Sequence, residues 1–371
     1  MTELGEEAKM TKTITRRRFL GRAGGALLAT SSLAFAPRAA AAPQKKTYRI
    51  AWSRYVGWEP WGYMEHAGIL NRWANKYGVK IQLDYVDDYM KSVEQYAGGA
   101  YDGVAVTNMD ALTVPAVGGV DSVVIIVGDF SNGNDGIVLR NGSRCEDIRG
   151  REIKLVELSV SHYLLARALE KCGMKEREVT LVNTSDRIIE AVFTNDSNPK
   201  AAVVTWNPML MAVRNTPDST LVFDSSQIPG EIIDTLVVRT NAPDTLKKAL
   251  VGAWYETMTI MSRRGPEAER AIKFMAQNSA ATVAQFKAQL ATTAMFYNPA
   301  DATAFVKSPE LKQTMEYVRA FSFDHGLYGP GKPSKDYVGI QFPDGTVIGN
   351  EKNIKMRFDA TYMQLAVDGR L

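Results

Sequence analysis

From Tyr48 onward the sequence alternates short apolar runs with amphipathic helical stretches, and few folds accommodate that alternation. An apolar run too short for a helix and bounded by turn residues is a strand. Strands separated by helices pair largely in parallel, in an α/β architecture. Strands are predicted over residues 48–52, 79–86, 104–107, 122–127 and 136–139. Helices are predicted over 62–77, closed by Gly78, and over 89–97, closed by Gly98-Gly99. Glycine suits these ends because it takes the left-handed cap without strain. A second set follows, with strands at 153–157, 179–182, 201–205 and 221–224 and a helix over 161–172 capped by Gly173. Residues 236–239 then read as a strand returning to the first sheet, before helices over 243–264 and 268–291.

This order predicts two α/β lobes, the second inserted into the first. Residues 43–141 plus 236–371 form lobe 1 and residues 142–235 form lobe 2, with crossings near Asn141-Gly142 and near Thr235. Two crossovers make a hinge, and the cleft between the lobes is where a ligand is enclosed.

The N-terminus predicts the compartment. Arg16-Arg17-Arg18-Phe19-Leu20 reads as a twin-arginine export signal, followed by a weakly apolar stretch over 24–36 and by Ala39-Ala40-Ala41-Ala42 as cleavage sites. The stretch is too short to span a bilayer core of about 30 Å, and with no cysteine near the cleavage sites a lipid anchor has no attachment point. Residues 1–42 are therefore expected to be a signal peptide handled by the twin-arginine machinery, releasing a soluble monomer into the periplasm. Seven of the 44 basic and three of the 41 acidic side chains lie in that segment, so the remainder is near neutral. Nothing in that balance calls for nucleic acid or an anionic membrane surface. The two cysteines, Cys145 and Cys172, leave room for one bridge in an oxidising compartment, but two unpaired thiols are the expectation.

Several segments together resemble the nitrate/sulfonate/taurine-type ABC transporter solute-binding proteins. They are Gly57-Trp58-Glu59-Pro60-Trp61-Gly62, Thr107-Asn108-Met109-Asp110-Ala111-Leu112, Ser159-Val160-Ser161-His162-Tyr163, and the run from Val203 into Trp206-Asn207-Pro208. Three stretches are most similar to a branch assigned to urea transport and found beside urea-carboxylase-related and guanidine-degrading enzymes. These are residues 108–112, 118–122 and 128–136. The resemblance implies a two-lobed periplasmic binding protein of type II, the venus-flytrap fold, and a membrane permease as partner.

The polar and aromatic residues at strand ends say what such a cleft would hold. The first loop has Tyr55, Trp58 and Trp61 around Arg54 and Glu59, and later loops bring Asp87, Asp88, Asp110, Asp129 and Asp135. The inserted lobe adds Ser161, His162, Trp206, Asn207, Glu231 and Asp234. A planar guanidinium or urea presents several N–H donors that carboxylates accept in pairs, and tryptophan faces attract a flat cation. The candidate ligand-binding residues are Trp58, Asp110, Asp129, Asp135, Ser161, His162, Trp206 and Glu231. Each has a structural reading too. Asp110 in a first helical turn can serve the helix dipole, and Asp129 and Asp135 flank a Gly/Asn turn where Asp bonds its own backbone.

The alternative is an anionic solute such as taurine, an alkyl sulfonate or nitrate, held by Arg54 and by helix N-termini at Asn108 and Ser161. Some relatives are enzymes that make the thiamine pyrimidine with the help of a cysteine-rich stretch, and this chain has no such stretch. It also lacks nucleophile-elbow, zinc-protease and P-loop motifs, and His66, His162 and His325 show no metal spacing. No catalysis, cofactor or metal is expected. A sensory receptor domain would need the same cleft and differs only in its membrane partner.

Overall fold

A computed structural model describes residues 47–371. The expected export signal and cleavage sites, within residues 1–42, lie outside the described residues. Among the described residues, fourteen strands form two sheets. The chain begins with β1 (Thr47–Trp52), β2 (Lys80–Tyr85), β3 (Gly103–Thr107) and β4 (Ser122–Ser131). It then builds β5 (Asp135–Arg140), β6 (Glu152–Leu155), β7 (Thr180–Asn183), β8 (Ala202–Trp206) and β9 (Ser219–Asp224). It returns with β10 (Ile233–Arg239), β11 (Thr293–Met295), β12 (Gly339–Gln341), β13 (Val347–Gly349) and β14 (Ile354–Phe358).

The larger sheet has the order β13-β12-β14-β4-β10-β3-β1-β2, with β11 also on β4, and the smaller has the order β7-β6-β8-β5-β9. β1 pairs in parallel with β2 and β3, whereas β10 runs antiparallel between β3 and β4. β4 is buried along almost its whole length, which is why Val123 to Val127 is an unbroken apolar run with no alternation. The helix Asp244–Ser262 covers this sheet together with Ile69–Lys76. Their close approach needs Gly252, where a β-carbon would come within 2.3 Å of the Trp73 ring.

The structure departs from the sequence reading in four places. The strand at 136–139 was expected in the first lobe, but β5 pairs with β8 and β9, so the chain crosses between sheets at residues 132–134 and not at Asn141-Gly142. The first helix is two, Glu59–His66 and Ile69–Lys76, broken at Gly68, whose φ of +67° is left-handed. The helix over 268–291 is also two, because Thr282 accepts the Gln285 N–H and opens a new one at Val283. Finally, Cys145 and Cys172 are joined in a disulfide and are not free thiols. Their Cα atoms stand 6.2 Å apart, within bridging reach, in spite of a sequence separation of 27.

Candidate functional site

The two crossings, residues 132–134 and 225–232, put the end of β4 and the start of β10 opposite the start of β5 and the end of β8. A cavity lies between them. From the first lobe it takes Tyr55, Trp58, Tyr89, Thr107 and the β4 and β10 residues Asp129, Ser131 and Asp234. From the second it takes Asn134, Asp135, Ser159, Val160 and Trp206. Water-sized groups have about 50 Å3 to occupy there. That is room for a small solute and several times what a single water needs.

The first wall is acidic. Asp129 and Asp234 are register partners across β4 and β10, and the pairing is irregular immediately beyond Asp234. Directly opposite residues on antiparallel strands bring their side chains together, and such irregularities commonly re-aim a side chain beside a functional site. Gly128, between Val127 and Asp129, lies under Trp254, where a β-carbon would come within 2.9 Å of the ring. Gly57 makes comparable room on the other side. A β-carbon there would lie 2.5 Å from Oδ2 of Asp129.

Asp135 begins β5 and accepts the Ser131 hydroxyl, which is also within 2.6 Å of the Ser225 hydroxyl. Among the described residues, Oδ2 of Asp129 and Oδ1 of Asp135 are buried with no hydrogen-bond partner. Burial pushes the Asp129 carboxyl up to about 7, against a hydrogen bond with Asp234 and with the help of the Asp135 charge. Burial also raises Asp135 to about 6, opposed by bonds from Ser131 and Asn134. Asp234 is held well above the usual carboxylate range by burial and by the charges of Asp129 and Asp135.

The other walls are aromatic. Tyr55 meets Trp58, Tyr89 and Trp206 edge-on, with ring centroids 5.3, 6.0 and 5.9 Å apart. Trp58 and Tyr89 lie 5.3 Å apart. Such a cage beside carboxylates is the arrangement that holds a desolvated cation. Tyr55 also ties the lobes together, its hydroxyl donating to Asp186 at the start of the helix Asp186–Thr194 at 3.2 Å.

Of the eight residues singled out in the sequence, Trp58, Asp129, Asp135 and Trp206 line this cavity. Asp110 sits one layer behind, where its Oδ2 accepts from Tyr89 at 2.6 Å and Thr107 at 2.8 Å and so fixes two lining side chains. Ser161 is fully buried and lies beneath Ser159, which caps its N–H. Glu231 faces away from the cavity and accepts from Arg167 and Tyr163, pinning the return crossing to the second lobe.

His162 is a correction of direction. Its ring turns away from the cleft to meet Phe321 and His325 edge-on. Nε2 of His162, Nε2 of His325 and the Glu176 carboxylate lie within 4.8 Å of one another, a reach that three metal ligands can show. The Leu158 N–H, however, donates to Nδ1 of His162, so the neutral ring carries its proton on Nε2, facing Glu176. This cluster is a hydrogen-bonded clasp between the lobes.

Sequence reasoning missed Tyr89, Ser131 and Asn134 as lining residues, and named Asp234 without choosing it. The signal for Asp234 was the antiparallel return of β10 beside β4, which one sequence does not display. Arg54, the cation of the anionic alternative, lies over the Tyr85 ring and reaches Asn278. Asn108 is committed to the backbone of Glu231 and Ile233. Among the described residues, no lysine, arginine or histidine lines the cavity.

The model of one protein family, described as NMT1/THI5 like, matches residues 73–253. No curated protein matches the chain. Among solved structures, the chain is similar to the alkanesulfonate-binding protein of Xanthomonas axonopodis pv. citri bound to MOPS. The TM-score is 0.61 at 16% identity, over 78% of this chain and 95% of that one. The ligand-binding component of an ABC-type import system from Staphylococcus aureus gives 0.59 at 13% identity, over 79% and 96%. The periplasmic nitrate-binding protein of Synechocystis gives 0.52 at 12% identity, over 89% and 100%. At such identities the likeness is one of fold, and the fold is that of the periplasmic binding proteins. Among the described residues, no helix is long and apolar enough to cross a membrane.

Proposed function

We propose that this chain is the exported solute-binding component of an ABC-type importer and that it captures a small nitrogenous solute, guanidine or urea, by closing its two lobes. One observation carries the ligand class. The cavity between the lobes has three carboxylates, two of them with a buried oxygen lacking a partner, and no basic side chain. Buried acceptors left without donors are costly, and a small planar solute with N–H groups along its edges supplies the donors. The small size of the cavity suits a solute such as guanidine or urea. The Trp58 indole N–H, also without a partner, suits the carbonyl of urea.

Capture needs no covalent step. Tyr55, Trp58, Asp129 and Asp234 belong to one lobe and Asp135 and Trp206 to the other, so a solute touching both favours the closed form. A membrane permease that recognises the closed form then receives the solute.

Two observations favour an anionic solute as a second reading. Structural neighbours bind an alkanesulfonate and nitrate, and the helix Val160–Lys171 brings its N-terminus to the cavity through Ser159 and Val160. Against this, a sulfonate or nitrate would meet three carboxylates with no cation among the lining residues. Thermal denaturation of the ligand-stripped protein with guanidinium, urea, taurine, nitrate and an alkyl sulfonate tests the choice. Stabilisation by guanidinium or urea alone supports the first reading, and stabilisation by an anion alone replaces it with the second.

A further inference from the structure

Given that reading of the cleft, we propose that Asp129 and Asp234 act as a charge filter. The empty cavity keeps a proton between these two carboxylates, and the solute that binds is a cation that displaces it, guanidinium rather than urea.

The argument starts from the register. Asp129 on β4 and Asp234 on β10 are paired residues on neighbouring strands, and both line the same cavity. Two carboxylates held side by side out of water can bond to each other only if a proton lies between them, since each alone is purely an acceptor. The surroundings reinforce that demand. Asp135 faces the pair from β5, and Asp110 adds its charge from behind Tyr89 and Thr107. The Tyr297 hydroxyl, beyond β11, feels the Asp129 charge, while Ser131 and Asn134 are neutral. No lining side chain brings a positive charge.

A guanidinium ion replaces the shared proton charge for charge. It also gives each carboxylate N–H donors in one plane, a stronger match than a single O–H bridge. Urea is neutral. To enter, it must either leave the proton in place and compete with it for the same oxygens, or expel it and leave the carboxylates uncompensated. Discrimination between two ligands of nearly one shape thus comes from the paired carboxylates, and the aromatic cage only fits the shape.

Exchange of this kind is visible as protons released. Below the range in which Asp129 ionises, about 7, the pair is protonated and guanidinium must expel the proton. Above it Asp234, held well above the usual carboxylate range, still keeps the shared proton, so guanidinium must expel it at neutral pH as well. Guanidinium affinity therefore rises with pH between 5 and 8, by up to about tenfold per pH unit for each proton displaced.

The test is calorimetric titration of the full protein with guanidinium chloride at one acidic pH, in two buffers of very different ionisation enthalpy. The expected difference corresponds to release of about one proton per bound ion. Asp234→Asn, which bonds to Asp129 without a shared proton, should reduce that release sharply and flatten the pH profile. Circular dichroism and the melting transition show whether the variant is folded, and if it is not, the wild-type release measurement decides alone. Guanidinium binding with no proton released, or urea binding as tightly as guanidinium, overturns the filter and leaves the solute-binding reading intact. Failure of both guanidinium and urea to bind at any pH overturns both.

Discussion

The ring of Tyr55, from the first lobe, meets the ring of Trp206, from the second, edge-on with their centroids 5.9 Å apart. Both line the cavity, so one aromatic contact closes the site and forms part of its wall. Trp206→Ala should weaken guanidinium binding by roughly tenfold, through loss of a ring face and of the interlobe contact. Trp206→Phe should recover part of that loss. Calorimetry on both variants checks this, and equal affinity in Trp206→Ala and wild type would remove Trp206 from the site.

Gly57 is required by close approach, since a β-carbon there would lie 2.5 Å from the Asp129 carboxylate. Gly57→Ala should push that carboxylate aside and weaken binding with little change in the melting transition. A large drop in stability with unchanged affinity would show that Gly57 serves the fold and not the site.

Asp129 and Asp110 should separate on mutation. Asp129→Asn removes a charged acceptor in the cavity and should cost about 1.5–3 kcal/mol, a loss of about tenfold or more in guanidinium affinity. Asp110→Asn keeps a carbonyl that accepts from Tyr89 and Thr107, so it should change affinity by less than about threefold. Equal losses would mean that Asp110 itself touches the solute.

The Cys145–Cys172 bridge ties the segment Cys145–Ile148 to the end of the helix Val160–Lys171, away from the cavity. Replacing both cysteines with serine should lower stability by about 2–4 kcal/mol while leaving affinity unchanged. Chemical denaturation and a binding titration on the same variant check the two halves of this expectation.

The residues differ in how far a single sequence discloses their place. β4 and β8 were legible because strands buried on both faces must be continuous apolar runs. The first crossing was not. Asn132-Gly133-Asn134 has the composition of a hairpin turn, and a turn between neighbours reads the same in sequence as a passage from one sheet to another. Trp58, Asp129, Asp135 and Trp206 could be placed beside the cleft because they lie at or near the ends of buried strands or in the loop after one. His162 misled because its place near a helix start fixes its distance from the cleft and not its face. Each helical residue turns about 100° from the last, which carries the cavity-facing side from Ser159 and Val160 away from His162. The pairing of Asp129 with Asp234 depends on strands more than 100 residues apart in sequence. Only the folded register displays it.

The most direct test of the central claim is a calorimetric titration of the ligand-stripped wild-type protein at pH 8, with guanidinium chloride in one run and sodium nitrate in another. The carboxylate-lined, cation-free cavity predicts saturable one-to-one binding of guanidinium and no heat of binding from nitrate. Saturable binding of nitrate without guanidinium would contradict the account and move the site's chemistry to the N-terminus of the helix Val160–Lys171.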